Sequence, residues 1–443
     1  MSWRIQMSTS TDLNSTIVEP GEFLSEEFRL DPFPVYKRLR ENTPVYQDKF
    51  QNRWIISRYE DIWDIYKNNE EFTRAVYDPK GKFKFGSDTA LGATLNELGE
   101  GADYIWLRGI VAGEFVGERL IARIPLIERI ALQIIEDFVE KAKSDYSAGN
   151  TKKLTVNLVQ QFSARFPIRV IAGMLGLPEK DNDYFEKLYD ELFAGGGYSH
   201  ALQQKGIQAR DNLFSYLDPL IEERMEHPKE DLLSVFCHAT KAGERMSVWQ
   251  IKGYVALLLV GGGDTTHKAI DAMWWNLLNN LDQYAAVKDN PELLDRVFTE
   301  MLRFDGSNHW QRRRTKVEVE IRDRVIPVGA SVWLGLGSGN RDEHIFKEPE
   351  KFNIFREDLY FGKELRVGYR KNGVSSHLGF GQETHFCMGY ALARQESVIA
   401  SKILLQALQN PRLKKVPNEG IAFPPPGRGG VRGLQNLEIE FDA

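Results

Sequence analysis

The spacing of apolar and polar residues predicts helices along most of this chain and strands in a few short stretches. Predicted helices are a short one opening at 31–34, one running from 104 through 115, several within 125–194 that break at 176–178, and one over 201–226. Predicted strands are 45–46 and 54–59, which can form a hairpin, and 317–321. Helical patterns therefore cover more of the chain than strand patterns do.

A second apolar run contains an unusual polar interruption. Residues 254–260 are apolar, 261–263 are three glycines, Asp264 and Thr265 follow, and apolar periodicity then continues to residue 275. In one interpretation the glycines end one helix and Asp264 or Thr265 caps the next. In the other, one long buried helix keeps glycines that cost about 1 kcal/mol each, because something must approach its backbone closely.

Cysteine usage points to one place where chemistry can occur. The chain has two cysteines, Cys237 and Cys387, in unrelated contexts, so a disulfide framework is not expected and a reducing, cytoplasmic compartment is. Cys387 lies between a turn at Phe380–Gly381 and a helical run after Gly389. A helix N-terminus favours a thiolate, the ligand that a soft metal centre such as haem iron requires. The alternative is a small buried apolar residue without chemistry.

Three motifs in fixed order identify a resemblance. They are the glycine–acid–threonine run at 261–266, E-x-x-R at 300–303, and F-G-x-x-x-H-x-C-x-G followed by A-x-A-R at 380–394. From about residue 31 to the end, the chain resembles the cytochrome P450 family. The resemblance implies a triangular, mainly α fold with a smaller β region and with haem b held between a long distal helix and a proximal helix. One position departs from the family pattern, since Glu383 stands where a second glycine is common.

The resemblance assigns roles to individual residues. Cys387 is the iron ligand, His385 contacts a haem propionate, Phe380 packs beneath the haem, and Gly381 and Gly389 shape the loop. Arg108, with Tyr104 four residues earlier, and Arg313 reach propionates, although Arg312 and Arg314 leave the register of Arg313 open. Asp264 and Thr265 are the catalytic proton relay and line the dioxygen site with Gly262. The expected substrate pocket is formed by Leu257, Val260, Gly261, Asn308 and His309. The expected structural set is Glu300, Arg303 and Arg356. Without the resemblance, Glu300 and Arg303 would be an ordinary surface pair on a helix.

Composition bears on partners and domain organisation. A net charge of −6 over 443 residues argues weakly against nucleic acid or an anionic membrane as partners. Residues 1–30 are polar and acidic, and we expect a partly disordered leader without a membrane anchor before a single catalytic domain at 31–443. Residues 74–103 are expected to be a loop over the distal face. The chain carries no flavin or dinucleotide fingerprint, so a separate ferredoxin- or flavodoxin-type donor is implied.

The function expected from these features is a haem-thiolate monooxygenase that oxidises a small organic substrate with dioxygen. An enzyme that couples or rearranges its substrate without net oxygen insertion shares the cysteine loop and stays open. A haem-based sensor is a third hypothesis, from a different functional class. A cysteine hydrolase is the most remote, because His385 is too close to Cys387 in sequence to serve as its base on a tight loop.

Overall fold

The computed structural model describes residues 18–74, 100–149, 153–195, 200–359, 375–414, 420–424 and 431–442. In these ranges the helices are α1 Glu26–Leu30, α2 Phe33–Asn42, α3 Tyr59–Lys67, α4 Ala102–Ala112, α5 Gly117–Ile121, α6 Ile124–Ser147, α7 Phe166–Met174, α8 Asn182–Ala194, α9 His200–Glu226, α10 Leu232–His238, α11 Val248–Asn279, α12 Leu281–Asp289, α13 Leu294–Phe304, α14 Leu336–Gly339 and α15 Tyr390–Ala407. The strands are β1 Val45–Asp48, β2 Arg53–Ile56, β3 Phe72–Thr73, β4 Leu154–Asn157, β5 Thr240–Lys241, β6 Glu244–Arg245, β7 Trp310–Thr315, β8 Val319–Ile321, β9 Arg324–Ile326, β10 Ser331–Gly335, β11 Gln409–Leu413 and β12 Glu438–Asp442.

The glycine-containing run forms one continuous helix. Helix α11 spans 32 residues, and a capping box between Ser247 and Gln250 satisfies its first free N–H groups. It lies in the largest apolar core and packs against α7, α8, α13 and α15, so most of its side chains are buried. Tertiary packing therefore outweighs the helix-propensity cost of the glycines, and the single-helix interpretation is confirmed.

The predicted hairpin is present and belongs to a larger sheet. Strands β1 and β2 pair antiparallel, with Tyr46 opposite Ile55. The sheet order is β1-β2-β10-β7-β3, in which β10 pairs parallel with β2 and antiparallel with β7. Side chains alternate across a strand, so neighbouring residues of β7 face opposite sides of this sheet. That alternation places part of β7 beside the candidate site described below.

Several expectations on the N-terminal third concern residues outside the described ranges. Residues 1–17 of the predicted leader and most of the predicted 74–103 loop lie outside them. Residues 18–30 are described and pack on the sheet, where Phe23 and Phe28 are buried. Phe28 stacks on Phe423, with ring centroids 5.8 Å apart. No described helix is both long and apolar enough to cross a membrane.

Candidate haem site

An internal cavity of about 330 Å³ lies between helix α11 and the loop that carries Cys387. Its walls come from parts of the chain far apart in sequence. They include Arg74, Tyr104, Arg108, Ile171, Leu257, Leu258, Gly261, Gly262, Thr265, Thr266, Phe298, Asn308, Gln311, Phe380, His385, Cys387, Gly389 and Glu396. The predicted distal and proximal motifs thus face each other across one space.

The cysteine loop is folded by backbone hydrogen bonds and two left-handed residues. The N–H of Cys387 donates to the carbonyl oxygen of Phe380 at 2.9 Å, which closes the loop. Gly381 has φ 69° and Glu383 has φ 55°, so the turn is kept although a glutamate occupies the second position. A non-glycine residue in this region costs about 1–3 kcal/mol, which the rest of the loop must offset. Phe380 packs against Phe298, Phe386 and Tyr390.

The thiol of Cys387 opens onto the cavity while protein surrounds it on the other sides. Burial raises the pKa of the Cys387 thiol, and hydrogen bonds from the backbone N–H groups of Gly389 and Tyr390 and the charge of Arg108 lower it by less. The N–H groups at the helix start thus favour the thiolate, as expected, but burial outweighs them in the chain without a metal. A metal ion bound at the sulfur deprotonates a thiol outright.

Polar groups gather at one edge of the cavity. Arg108 donates from Nη2 to the carbonyl oxygen of Phe386 at 2.6 Å, and its Nη1 lies 3.4 Å from the hydroxyl of Tyr104. The ring of His385 packs on Tyr104 at a centroid distance of 4.6 Å, and its Nε2 lies 3.0 Å from Oε1 of Glu100. Burial raises the pKa of Glu100, yet hydrogen bonds from His385, the Arg74 N–H and Thr73 lower it to about 2.

The three arginines on β7 differ in burial, and none of them lines the cavity. Arg313 is buried, whereas Arg312 is exposed and Arg314 partly exposed. Burial lowers the pKa of Arg313 to about 10, with the charge of Arg74 acting in the same direction. Arg74 lines the cavity, and burial lowers its pKa as well. Sequence reasoning missed Arg74, because it stands at the start of a glycine-rich stretch without periodicity.

These observations fit haem b. Arg74 and Arg108 line the cavity, and Arg313 lies close enough for its charge to act together with those of Arg74 and Glu100. Guanidinium groups bind carboxylates well, and a haem carries two propionates. The thiol faces the cavity interior, and Gly261 and Gly262 remove side-chain bulk from the opposite wall. The predicted residues on the cysteine side and at the edge are thus brought together.

The distal helix departs from expectation at two residues. Gly261, Gly262, Thr265 and Leu257 line the cavity as predicted, whereas Val260 does not and Leu258 takes its place. Asp264 is 3% exposed and does not line the cavity either. Its Oδ1 accepts a hydrogen bond of 2.7 Å from Nζ of Lys268, one turn along the helix. Residues at i and i+4 share a helix face, and that face points away from the cavity.

A buried polar cluster surrounds Asp264 behind the helix. A side chain at Gly263 would meet the ring of Tyr189 at 2.8 Å, so the third glycine serves this packing. Burial raises the pKa of Tyr189, and the charge of Asp264 raises it further. Burial also lowers the pKa of His267 to about 4 and raises that of Asp271 to about 8. Oδ2 of Asp264, Nδ1 of His267 and the hydroxyl of Tyr189 have no hydrogen-bond partner among the described residues.

The predicted polar wall is half correct. Asn308 lines the cavity, but His309 does not. The His309 ring is 3% exposed, its Nδ1 lies 3.1 Å from the hydroxyl of Tyr36, and it packs against Phe33 and Phe423. Burial lowers the pKa of His309 well below its ordinary value. Successive residues entering β7 point in opposite directions, so His309 belongs to the N-terminal core and not to the substrate pocket.

The Glu300–Arg303 pair is buried and saturated with hydrogen bonds. Two bonds of 2.8 Å join the side chains, and Nη1 of Arg356 lies 3.4 Å from Oε1 of Glu300. Arg303 also donates to the carbonyl oxygens of Asn340, Pro349 and Lys351. The Asn340 side chain in turn accepts the N–H of Leu378 at 2.7 Å, at the start of the cysteine loop. Asn340, which sequence reasoning missed, thus ties this pair to the loop that positions Cys387.

Comparison with known proteins agrees with this geometry. The family model described as "Cytochrome P450" matches residues 197–432. Cytochrome P450 107B1 of Saccharopolyspora erythraea is 30% identical over 408 residues, covering 89% of this chain and 92% of that protein. Pulcherriminic acid synthase of Bacillus subtilis is 27% identical over 422 residues, covering 95% and 97%. Among solved structures, the cytochrome P450 PksS of the B. subtilis bacillaene polyketide synthase has a TM-score of 0.78 at 26% identity, covering 95% of this chain and 99% of that one. The family match and the 30% identical relative agree with the geometry of the cavity, and this chain belongs to the cytochrome P450 family of haem b monooxygenases.

Proposed function

We propose that this monooxygenase oxidises a small, mainly apolar organic molecule carrying at least one polar group, with electrons from a separate ferredoxin- or flavodoxin-type protein. The observation that carries the proposal is the Cys387 thiol opening onto a cavity whose opposite wall is Gly261, Gly262 and Thr265. Bound through a thiolate, haem b activates dioxygen for transfer of one oxygen atom to an organic molecule. The protein supplies the ligand, the position of the substrate and the protons.

The edge residues are proposed to hold the haem carboxylates. Arg74, Arg108 and Arg313 supply charge, and His385 and Tyr104 supply a packed polar surface beside them. The Tyr104 hydroxyl donates to the carbonyl oxygen of Thr384 at 3.0 Å, so this hydrogen bond joins α4 to the cysteine loop. Positioning of the carboxylates thereby also positions the thiol.

Proton delivery is proposed to involve Thr265 directly and Asp264 through a rearrangement. The Thr265 hydroxyl lies at the cavity wall, 3.4 Å from the carbonyl oxygen of Gly261, a long contact that leaves it available to a ligand. Asp264 stands on the other face of the helix, bound to Lys268. A proton that enters through this carboxylate must therefore be passed inward when the Asp264–Lys268 contact opens.

The substrate class rests on the character of the remaining walls. Ile171, Leu257 and Leu258 are apolar, while Ser307 and Asn308 place polar groups at one side. Apolar surface with a few positioned polar groups is typical of small-molecule sites. A relative named for polyketide biosynthesis, PksS of B. subtilis, and a structural neighbour, CYP109E1 from Bacillus megaterium in complex with corticosterone, support a substrate of the secondary-metabolite or steroid size range.

Spectroscopy of the purified protein tests the ligand. Reduced protein under carbon monoxide should show the strongly red-shifted Soret band of thiolate ligation. Cys387→His should abolish that band, and Cys237→Ser, at the buried second cysteine, should leave it unchanged. A band that survives the Cys387 replacement would overturn the assignment.

A labelling experiment tests the reaction class. With a substrate found by its displacement of iron-bound water, turnover under ¹⁸O₂ should place one labelled atom in the product. An unlabelled product formed by bond coupling or rearrangement would favour the alternative enzyme class, and binding without any product would favour a sensor.

A further inference from the structure

A second cleft, of about 690 Å³, lies on the other side of the five-stranded sheet. None of its described lining residues lines the haem cavity. The volume lies within the range of small-molecule sites, which is about 300–1,000 Å³. Its lining includes Phe23, Arg29, Arg53, Trp310, Arg312, Trp333 and Phe423.

Strand β7 separates the two spaces. Gln311 lines the haem cavity, whereas its neighbours Trp310 and Arg312 line the cleft. Gln311 accepts a hydrogen bond of 3.0 Å from the Tyr66 hydroxyl, so its direction is fixed. The alternation of side chains along a strand thus gives one strand two ligand-facing surfaces.

The floor of the cleft is aromatic and rigid. Trp310 and Trp333 pack edge to face with centroids 6.0 Å apart. Arg53 lies among them, 4.2 Å from the Trp333 ring and 5.2 Å from the Phe23 ring, and donates to Asp48 at 2.9 Å. Its charge is therefore matched, and its guanidinium serves as part of the floor.

One cation at the rim is not matched. Arg312 is exposed, its guanidinium lies 5.0 Å from the centroid of Trp333, and it forms no ion pair with any described residue. Arg29, by contrast, is paired with Glu26 and donates to the carbonyl oxygen of Phe423 at 2.9 Å. Among the described residues, the cleft thus combines two tryptophan rings with one guanidinium that forms no ion pair.

The walls are fixed before any ligand arrives. The N–H of Phe423 donates to the carbonyl oxygen of Arg29 at 2.9 Å, in addition to the reverse contact from the Arg29 side chain. Trp333 donates from Nε1 to the Ser331 hydroxyl at 3.2 Å. A preformed site avoids the ordering cost that a loose one incurs on binding.

We propose that this cleft is a second small-molecule site that binds a planar aromatic carboxylate, separate from the haem cavity. The carboxylate pairs with Arg312, whose fork of donors matches it, and the ring lies against Trp310 and Trp333. An uncharged aromatic molecule can lie against the same rings, but it cannot form the charged hydrogen bonds to Arg312. The proposal does not depend on the substrate proposed above, because none of the described residues of one site lines the other.

The test uses 2-naphthoate and calorimetry on the haem-loaded protein, with an azole bound to the iron to fill the cavity. Binding is expected at about millimolar strength or tighter for a ligand of this size. Arg312→Gln should weaken it about 10- to 100-fold, the usual worth of charged hydrogen bonds, and 2-naphthalenemethanol should bind the parent protein correspondingly weakly. Trp333→Leu should weaken both ligands.

Arg314→Gln is the matched control, because Arg314 lies on the same strand, does not line the cleft and donates to the carbonyl oxygen of Gly329. It should leave the affinity for 2-naphthoate unchanged. The proposal is overturned by no binding up to about 5 mM, by equal loss in the two arginine variants, or by binding that vanishes when the azole is present. The last result would place the ligand in the haem cavity instead.

Discussion

Two of the buried acid–base pairs in the described part of the chain join residues one helical turn apart, and they differ in how completely their hydrogen bonds are satisfied. Glu300 and Arg303 are 0% and 1% exposed, and Asp264 and Lys268 are 3% and 7% exposed. Burial is therefore nearly equal. Arg303 donates to the carboxylate and to three backbone carbonyl oxygens, whereas Lys268 has its one described hydrogen bond to Asp264.

The two carboxylates also differ in how many hydrogen bonds they accept. Glu300 accepts from Arg303, Arg356 and the backbone N–H of Asn353, while Oδ2 of Asp264 has no partner in the described structure. A saturated network locks one geometry, and a buried charge with spare capacity can exchange partners. The first pair is thus suited to holding the cysteine loop, and the second to moving a proton.

The largest expected effect follows from breaking the saturated pair. Glu300→Ala leaves Arg303 buried without its acid, which costs about 3–5 kcal/mol, so the variant should fold poorly or lose haem. Thermal unfolding and haem content measure this. Glu348→Ala is the control, because Glu348 and Lys351 have the same i,i+3 spacing on an exposed surface and such a pair is worth about 0–1 kcal/mol. Equal behaviour of the two variants would show that burial of the Glu300 pair is unimportant.

Neutralising the second pair should affect rate more than folding. Asp264→Asn should lower product formation about 10²–10⁴-fold, the usual effect of losing a positioned acid–base group. It also leaves the Lys268 ammonium buried without its partner, which destabilises the fold. Asp264→Asn combined with Lys268→Met removes both charges, so it should recover stability and not turnover. Full activity in the double variant would mean that this pair is structural, like the first.

Thr265→Ala should have a smaller effect, on coupling. Haem, substrate and dioxygen binding should persist, while more reducing equivalents leave as hydrogen peroxide because the hydroxyl that organises proton transfer is gone. Product per reducing equivalent is the measurement. Thr299→Ala is the matched control, since Thr299 also donates to the carbonyl oxygen four residues earlier, while its own side chain does not line the cavity. Unchanged coupling in Thr265→Ala would remove this residue from the proton relay.

The smallest expected effect is a pH dependence at a third pair, His385 and Glu100. The pKa of Glu100 is about 2 in the folded protein, below the ordinary 4.5. Its carboxylate therefore stabilises the fold above about pH 4.5, and this contribution is lost as the pH falls toward 2. Glu100→Gln should flatten the acid limb of a plot of melting temperature against pH between about 5 and 3. An unaltered acid limb would mean that other carboxylates determine it.

Sequence reasoning succeeded where local pattern and chemistry agree. The hairpin of β1 and β2 followed from the sequence pattern, and the continuous α11 was one of two interpretations of its pattern. The resemblance implied that Cys387, Arg108 and Thr265 meet at one haem site, and all three line one cavity. The resemblance favoured Arg313 over its neighbours, and Arg313 is the buried one of the three, while its contact with a propionate stays a prediction.

Sequence reasoning failed where the direction of a side chain depends on the residues that pack around it. Asp264 points away from the cavity because Lys268 lies on the same helix face, and His309 is buried because Tyr36 and Phe33 pack around it. Neither partner can be found from the motif itself. The three-stranded sheet β11-β12-β4 was not predicted either, because β4 is short and its partner β12 lies at the opposite end of the sequence.

That last pairing has a consequence for biosynthesis. Strand β4 at 154–157 gains its hydrogen-bond partner only when β12 at 438–442 has been made. The edge of β2 that does not pair with β1 likewise stays open until β10 at 331–335 has been made. Chains emerge from the ribosome at about 5–20 residues per second, so both early strands spend many seconds with an unpaired edge. Cys387 also emerges after α4 and α11, which form other walls of its cavity, have been synthesised. Loading of haem is thus expected to be a late event, and a ribosome stalled before residue 438 should present a protease-sensitive nascent chain.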